Sequence, residues 1–347
     1  MPTTYAIPDG RTVMAATLYT GNSTGTQSQT IVNSVNGVGF QPDFVWNKAR
    51  SIGRDHALYD SVRGTGKYLS SDLTIAELTG INGVSAFNSN GYTLGSDGDS
   101  NINGATFVGW QWKAGGTAVS NTAGSITSSV SANTTAGFSV VTYTGNGTNG
   151  ATVGHGLGVA PSMMIVKRRD AVAAWDVYHS SIGATGRLYL NTTDSTNTSS
   201  APWNNTAPTS TVFTVGTATD TNASASTIVA YCFAQVAGYS AFGSYTGNGS
   251  ADGPFCYTGF RPRFVMIKRT DSISDWTTYD TSRSTYNQMN LALYANLSNA
   301  EATTIIVIDT LSNGFKIRNS NADTNASGGT YIYACFAETA FKFSNAR

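Results

Sequence analysis

The feature that most constrains the fold is a pattern that occurs three times along the chain. A Tyr-Thr-Gly-Asn tag occupies residues 19–22, 143–146 and 245–248. Each tag precedes a proline and a short apolar run that ends in lysine, always six residues later: 42–48, 161–167 and 262–268. Twelve residues beyond each lysine a second motif ends, at Asp60, His179 and Asp280. Constant spacing over three copies indicates one structural unit used three times.

The copies also close alike, which sets their boundaries. An aromatic residue (Tyr92, Phe213 or Phe315) precedes Gln111, Cys232 or Cys335 by 19 or 20 residues. We place the first copy at residues 1–115 with an N-terminal arm at 1–15, the second at 138–238 and the third at 239–347. Residues 116–137 are rich in Gly, Ser and Thr and are interpreted as a linker, with a single strand inside it as the alternative. Because the second junction is very short, we expect copies two and three to be closely coupled and copy one to be more loosely attached.

Short alternating apolar runs bounded by Gly and Asn turns are typical of antiparallel strands. The predicted fold is all-β, with three tandem antiparallel β-sandwich domains of jelly-roll-like form. Only residues 74–78 and 297–303 have a helical pattern, and a parallel sheet would need helical crossovers. Because side chains alternate along a strand, equal spacing places the same residues on the same face of each copy. Three common positions are predicted: Phe44, Met163 and Phe264; Gln111, Cys232 and Cys335; and Tyr59, Tyr178 and Tyr279.

Charge excludes one class of partner. The chain has 20 basic and 20 acidic residues, and charged residues make up only 12% of it. A nucleic-acid-binding protein needs a surplus of Lys and Arg to displace counterions from phosphates, so no nucleic-acid partner is expected. Aromatic residues at 11% argue against disorder. Neither a signal peptide at the start nor an apolar run of about 18 residues occurs, so no membrane insertion is expected.

The residues that most often carry chemistry form no catalytic pattern. Cys232 and Cys335 are equivalent strand positions, Cys256 lies apart, and no CxxC spacing suggests zinc. All three cysteines are therefore expected to be free thiols. His56, His155 and His179 have no histidine at their equivalent positions, and no nucleophile–base arrangement follows from them. We predict no catalytic residue, no metal site and no cofactor, and the sequence assigns no binding residues.

Tryptophans and one acidic loop leave alternatives open. Trp175 and Trp276 recur, with His56 in their place in copy one, and core packing is favoured over sugar stacking. Trp46 and Trp203 lie outside the repeated frame and are candidates for exposed contacts. Residues 97–101 resemble the start of a calcium loop, with Asp97, Asp99 and Asn101 as possible ligands, but the EF-hand frame fails. A solvated turn is favoured there, and an ion site is the alternative.

Several segments carry a family resemblance: GFQPDFVWNK (39–48), GHGLGVAPSMMIVK (154–167) and YTGFRPRFVMIKRTD (257–271), together with AIPDGR (6–11), residues 124–147 and residues 239–255. The chain resembles a repeated domain of unknown function found in structural proteins of tailed bacteriophages, notably those of marine and cyanobacterial hosts. Copy one departs most, with Gln111 in place of Cys and a long gap between Asn22 and Pro42. The resemblance implies a virion appendage or surface protein and carries over no site residue.

Three functions follow as expectations. The first is a tail fibre or other adsorption appendage that presents β-domains to host-surface glycans. The second is a capsid decoration protein with a purely structural role, and the third, remote, is a glycan-degrading tailspike-type enzyme. Such an enzyme needs paired carboxylates about 5–10 Å apart, and acidic residues are sparse and not clustered. We therefore expect a non-enzymatic virion protein, assembled in the host cytoplasm, whose partners are other virion proteins, further copies in a homotrimer, and a host-surface glycan.

Overall fold

The computed structural model describes residues 5–337. Residues 1–4, on which the expectation of no signal peptide partly rests, and residues 338–347, the end of copy three, lie outside the described residues. The all-β sandwich prediction is confirmed, because nearly all regular structure is short antiparallel strands. The three copies are called repeats 1, 2 and 3 below.

Repeat 1 contains nine strands and one single-turn helix: β1 (Met14–Thr20), β2 (Gln29–Val32), β3 (Phe44–Ala49), β4 (Ala57–Asp60), β5 (Lys67–Tyr68), β6 (Leu78–Thr79), β7 (Val84–Asn88), β8 (Gly91–Leu94), α1 (Gly98–Asn101) and β9 (Thr106–Trp112). A short 3-10 turn at Gly10–Thr12 precedes them.

Repeat 2 and the segment before it contain β10 (Val119–Asn121), β11 (Ser128–Asn133), β12 (Phe138–Thr144), β13 (Ala151–Gly154), β14 (Met163–Arg168), β15 (Trp175–His179), β16 (Gly186–Tyr189), β17 (Asn197–Thr198), β18 (Val212–Val215), α2 (Thr219–Asn222) and β19 (Thr227–Phe233). Repeat 3 contains β20 (Ser240–Thr246), β21 (Phe255–Tyr257), β22 (Pro262–Arg269), β23 (Thr277–Asp280), β24 (Met289–Tyr294), β25 (Ala302–Leu311), β26 (Gly314–Ile317), α3 (Ala322–Asn325) and β27 (Thr330–Ala337).

Each repeat has an inner sheet of one topology. The order is β1-β9-β3-β4 in repeat 1, β12-β19-β14-β15 in repeat 2 and β20-β27-β22-β23 in repeat 3. The first and last strands of every repeat are thus hydrogen-bonded neighbours. Outer strands cover one face of each inner sheet: β2-β8-β7, then β13-β18, then β21-β26-β25-β24.

Strand register confirms the three predicted common positions. Phe44 pairs with Trp112, Met163 with Phe233, and Phe264 with Phe336. One residue further along the same strands, Val45 pairs with Gln111, Met164 with Cys232, and Val265 with Cys335. Tyr59, Tyr178 and Tyr279 pair with those same three residues, Val45, Met164 and Val265.

The two faces of each inner sheet are both buried, but against different partners. The face that carries Tyr59, Tyr178 and Tyr279 packs on the outer strands of its own repeat and forms a separate core there. The opposite face of all three inner sheets contributes to one common core, which includes Phe44, Met163 and Phe264. Strands buried on both faces read as continuous apolar runs, which explains the short apolar stretches before each lysine.

The common core converges on three equivalent aromatic residues. Trp112, Phe233 and Phe336 contact one another with ring centroids 6.1, 5.6 and 5.7 Å apart. One residue from each repeat at nearly equal separations defines a pseudo-threefold axis. Repeat 1 supplies Trp112 to this triangle, so the expectation that repeat 1 is more loosely attached is wrong.

Two local expectations also differ from the structure. Residues 74–78 and 297–303 are not helical; the single-turn helices lie instead at α1, α2 and α3, just after the closing aromatic strands. Residues 116–137, interpreted as a linker, contain β10 and β11, which extend the inner sheet of repeat 2. Serine and threonine are compatible with an edge strand, and there one face stays in water.

Candidate functional site

The repeated lysines lie where one repeat docks onto the next. Lys48, Lys167 and Lys268 are fully buried. Their ammonium groups donate to backbone carbonyls of a neighbouring repeat: Lys48 to Ser298, Lys167 to Thr74 and Lys268 to Thr193. Burial lowers the pKa of each lysine to about 8. The lysine at the end of the six-residue spacing is therefore a docking residue. The lysine of repeat 1 contacts repeat 3, that of repeat 2 contacts repeat 1, and that of repeat 3 contacts repeat 2.

The same cyclic order governs the second motif. Trp175 Nε1 donates to Ser70 O, 2.7 Å away in repeat 1, and Trp276 Nε1 donates to Tyr189 O, 2.8 Å away in repeat 2. In repeat 1 the ring of His56 takes this place, with Nε2 2.9 Å from Tyr294 O of repeat 3. Trp46 donates to His56 Nδ1, which leaves Nε2 as the donor to the carbonyl. Burial lowers the pKa of His56 to about 3, so the ring is a neutral docking group.

A third set of equivalent positions, at the motif ends, contacts the neighbour on the opposite side, from repeat 1 to 2, 2 to 3 and 3 to 1. Asp60 accepts from Tyr231 of repeat 2 at 2.8 Å, and Asp280 accepts from Trp110 of repeat 1 at 3.0 Å. His179 lies 3.2 Å from Tyr333 O of repeat 3. A heterologous contact repeated in one rotational sense closes into a ring after the third step. The chain is therefore a closed ring of three units held by side chains of the repeated motifs.

Buried ion pairs reinforce two of the three junctions. Arg63 and Arg283 are fully buried, and each pairs with the aspartate three residues before it. Glu77 bridges Arg63 to Arg169 of repeat 2, and Glu301 bridges Arg283 to Arg50 of repeat 1. Repeat 2 has Ile182 at the corresponding arginine position. At its junction with repeat 3 the ring of His179 takes the place of the aspartate, beside the contacts of Lys268 and Trp276 with repeat 2.

The Tyr-Thr-Gly-Asn tag holds the single-turn helix of its own repeat. Buried Asn101, Asn222 and Asn325 each accept a hydrogen bond from the backbone N–H of the tag asparagine, at 2.9, 3.0 and 2.8 Å. The tag tyrosines donate to helix carbonyls at 2.7–2.8 Å. A Cβ on any tag glycine would approach a carbonyl oxygen to 2.2–2.4 Å. This close approach explains why glycine occupies that position.

The possible calcium loop belongs to this same clamp. Asp97 accepts from Tyr59 and Ser100, and Asp99 accepts from Tyr68 at 3.1 Å. Asn101 is the buried member of the tag contact and faces away from solvent. Among residues 5–337 no cluster of three or more His, Cys, Asp or Glu has the arrangement of a metal site.

Both tryptophans proposed for exposed contacts are buried, so that expectation is wrong. Trp46 is 2% exposed and packs at a right angle on Trp110 in the common core. Trp203 is 1% exposed and packs edge-on against Tyr178. A tryptophan that has no counterpart in the other repeats can still be a core residue of its own repeat. Trp175 and Trp276 are buried, as predicted for core packing.

The three cysteines are free and buried. Burial raises the pKa of Cys232 and of Cys256 to about 12, and that of Cys335 well above its usual value. The nucleophilic thiolate is thus strongly disfavoured at neutral pH. His155 is also held structurally, with Nε2 3.1 Å from Thr209 O and Nδ1 accepting from the backbone of Leu157.

Acidic residues do cluster at one corner of repeat 1, contrary to expectation. Asp55 lies beside Asp72, and burial together with that neighbouring carboxylate raises the pKa of Asp55. Burial, then the charge of Asp97, raises the pKa of Asp99 to about 6. Asp72 accepts from Ser70 and from the backbone N–H of His56. This corner adjoins the docking contact of repeat 1 with repeat 3.

Two open grooves have polar linings. One, of about 460 Å³, lies between repeat 1 and β11 and includes Asp43, Lys113 and Asn133. Asp43 is buried there and accepts hydrogen bonds from Ser61, Ala114 N and Gly116 N. The second, of about 380 Å³, is lined by hydroxyl side chains of β11 and β12 and by Arg169. Neither groove is lined by the Asp55–Asp72 pair.

The comparison with known families gives one match. Residues 10–340 match the family described as "Domain of unknown function (DUF7483)". The chain belongs to this family. The match extends across all three repeats, so in this chain the DUF7483 domain coincides with the closed ring. No curated protein and no solved structure matches the chain. Within residues 5–337, the DUF7483 fold contains no helix of the length and apolarity needed to cross a membrane.

One surface of this DUF7483 domain was missed by the sequence argument. Phe255 and Tyr257 on β21 are 44% and 67% exposed, whereas Cys256 between them is buried. Strand register makes them equivalent to Thr30 and Val32 of repeat 1 and to Thr152 and Gly154 of repeat 2. The alternating Phe-Cys-Tyr run could have revealed it, because period-two alternation places both rings on the solvent side.

Proposed function

We propose that this protein is a bacteriophage virion structural protein, most consistent with a tail fibre or another adsorption appendage that displays β-domains to glycans of the host surface. The observation that carries the proposal is the closed ring of three repeats around one aromatic core. Each repeat of this body contacts both of the others, which holds the three repeats in one arrangement. The resemblance of segments 39–48, 154–167 and 257–271 to phage structural proteins supplies the virion context.

Symmetry supports placement on a fibre. A homotrimeric shaft ends in a threefold axis, and a partner with three equivalent faces fits that end without leaving one shaft chain unpaired. Here one chain supplies all three faces, because its docking contacts close in a single rotational sense. In this proposal one copy caps a threefold shaft coaxially, as an alternative to the homotrimer of this chain expected from the sequence.

Surface chemistry is in keeping with passive adsorption. Net charge is zero, so long-range steering to a polyanion is absent and contact relies on hydrogen bonding and stacking. The docking residues His56 and His179 and the buried Cys232 are held as neutral groups inside the ring. The Asp55–Asp72 pair is the feature closest to the tailspike-type enzyme, but Asp72 is engaged by Ser70 and the backbone of His56. A binding role therefore has more support than hydrolysis.

The test is to locate the protein on intact particles. Antibodies raised against the folded chain, used for immunogold electron microscopy of the encoding phage, should label the tail and slow adsorption to host cells. An antibody against the major capsid protein is the matched control and should label heads without affecting adsorption. Label on the capsid surface would instead establish the decoration role. Particles without label would refute a virion role altogether.

A further inference from the structure

We propose that the outward face of β21 and β26 in repeat 3 is a binding platform for a neutral saccharide. The platform is defined by Phe255, Tyr257, Gly314, Lys316 and Arg318, with Asp252 and Asp309 at its margin. The inference deepens the proposed function and rests on it only for where the saccharide comes from, namely the host surface.

The three repeats provide an internal control for what the fold requires. In repeats 1 and 2 the positions of Phe255 and Tyr257 carry Thr30 and Val32, and Thr152 and Gly154, on strands paired in the same way. Side chains without an aromatic ring therefore satisfy the fold at these positions. Two large rings left 44% and 67% in water gain little from folding. Exposed aromatic residues that the fold does not need indicate a contact surface.

A glycine on the neighbouring strand lies against one ring of the platform. A Cβ at residue 314 would lie 2.1 Å from Cys256 O and 2.9 Å from the Phe255 ring, so Gly314 leaves space both for the paired backbone and for that ring. Tyr257 lies near Gly259, where a Cβ would be 3.5 Å from the tyrosine oxygen. The Phe255 ring lies against Gly314 on one side and is 44% exposed, so part of the ring is open to solvent. A pyranose ring has an apolar face of C–H groups that matches such a surface, because the π face is partly negative.

Paired charges next to the rings select a neutral ligand. Lys316 lies 2.8 Å from Asp252, and Arg318 lies 3.1 Å from Asp309 and 3.4 Å from Asp252. Two cations and two carboxylates balance, so the platform has no net field that would attract a phosphate, sulfate or uronate. Their donors and acceptors are directional, and Asp252, with 77% of its side chain exposed, is open to sugar hydroxyls.

The experiment uses the full chain with defined saccharides. Saturation-transfer NMR is recorded with maltohexaose, cellohexaose, mannohexaose and chitohexaose, and with dextran sulfate as the anionic comparator. We expect transfer to the C–H face of at least one neutral oligomer, with a Kd on the order of 1 mM for a shallow site of two rings. Dextran sulfate should not compete with the neutral oligomer for the platform.

The decisive variant is Phe255→Thr with Tyr257→Val, which installs the residues of repeat 1 and should leave the melting temperature unchanged. It should weaken neutral-saccharide binding at least about tenfold. The matched control is Tyr286→Ser, which removes another exposed aromatic residue of repeat 3, 84% in water, and should leave binding unchanged.

Four outcomes would overturn the platform: no transfer to any neutral oligomer, equal binding by the double variant, preference for dextran sulfate, or a dimer in sedimentation velocity that the double variant dissolves. The last would make the face a contact between copies of this chain. Failure here is separable from failure of the proposed function. Tail labelling without saccharide binding removes only the platform, and saccharide binding without particle labelling removes only the virion role.

Discussion

Asp176 occupies a strand position that Ala57 and Thr277 occupy in the other repeats, so the shared backbone does not require a carboxylate there. The side chain is fully buried. Arg187 approaches Oδ1 at 3.1 Å, but neither Oδ2 nor Arg187 Nε has a hydrogen-bond partner within residues 5–337. Because this pairing is incomplete, burial outweighs the attraction and raises the pKa of Asp176 to about 7.

This raised pKa predicts a pH dependence of stability. The folded state holds a proton on Asp176 that the unfolded chain releases near its usual pKa of about 3.9. The stabilising contribution is therefore complete below that value and is lost as pH rises through about 7. Asp176→Asn should remove this loss, so that above pH 7 the variant is more stable than wild type by a few kcal/mol, roughly.

Urea unfolding at pH 4, 5, 6, 7 and 8 measures the difference between the two proteins. Asp170→Asn is the matched control, since that carboxylate is largely exposed and paired with Arg168, and the pKa of Asp170 is lowered. A difference between Asp176→Asn and wild type that stays constant across this range would contradict the assignment.

Strands and their docking motifs account for the spacing of the repeats. The lysine at the end of each repeated apolar strand donates to a carbonyl of an adjacent repeat. The motif that ends twelve residues later adds a ring N–H donor and, in two repeats, a buried Asp–Arg pair. Removing one partner of a buried pair leaves an uncompensated charge, whereas removing both does not. Repeat 2 illustrates the second case, with His179 and Ile182 at these positions.

Double-mutant analysis of the Asp60–Arg63 pair tests this account. Asp60→Asn and Arg63→Met should each destabilise the protein by about 3–5 kcal/mol, and the double variant by clearly less than their sum. The partly exposed Arg168–Asp170 pair is the matched control, for which the coupling should be below about 1 kcal/mol. Additive losses at Asp60 and Arg63 would show that the pair does not act as a unit.

The whole molecule is a closed ring in which every repeat has a core of its own and a share of the common core. Each inner sheet buries its second face in the common core, to which the other two repeats contribute. A repeat released from the ring would expose large aromatic side chains such as Trp110, Tyr231 and Phe336. The ring should therefore unfold as one cooperative unit despite its modular sequence.

Calorimetry should show one transition with equal calorimetric and van't Hoff enthalpies. Phe233→Ala, at the axis, should destabilise all three repeats together by about 3–5 kcal/mol. Phe255→Ala is the matched control, because that ring is 44% exposed and should matter far less. Hydrogen exchange read repeat by repeat provides the check. Early melting of residues 16–115 alone would contradict a shared core.

Sequence spacing was sufficient for the repeat, the all-β class and three sets of equivalent positions, because side-chain alternation in a strand is a local property. For this reason the sequence alone was enough to identify Gln111, Cys232 and Cys335 as equivalent strand positions. Spacing also identified Lys48, Lys167 and Lys268 as repeated positions. It did not reveal their partners, since these are backbone carbonyls of another repeat and leave no side-chain signature.

Only the tertiary structure decided which surfaces of the three repeats pack against one another. Burial of Trp46 depends on Trp110 and His56, and contact among Trp112, Phe233 and Phe336 depends on three sheets meeting at one axis. The exposed pair Phe255 and Tyr257 is the converse case, because aromatic residues in an alternating strand read equally well as core. Local pattern determines which way a side chain points from its sheet, and only packing between distant segments determines whether protein or water lies on that side.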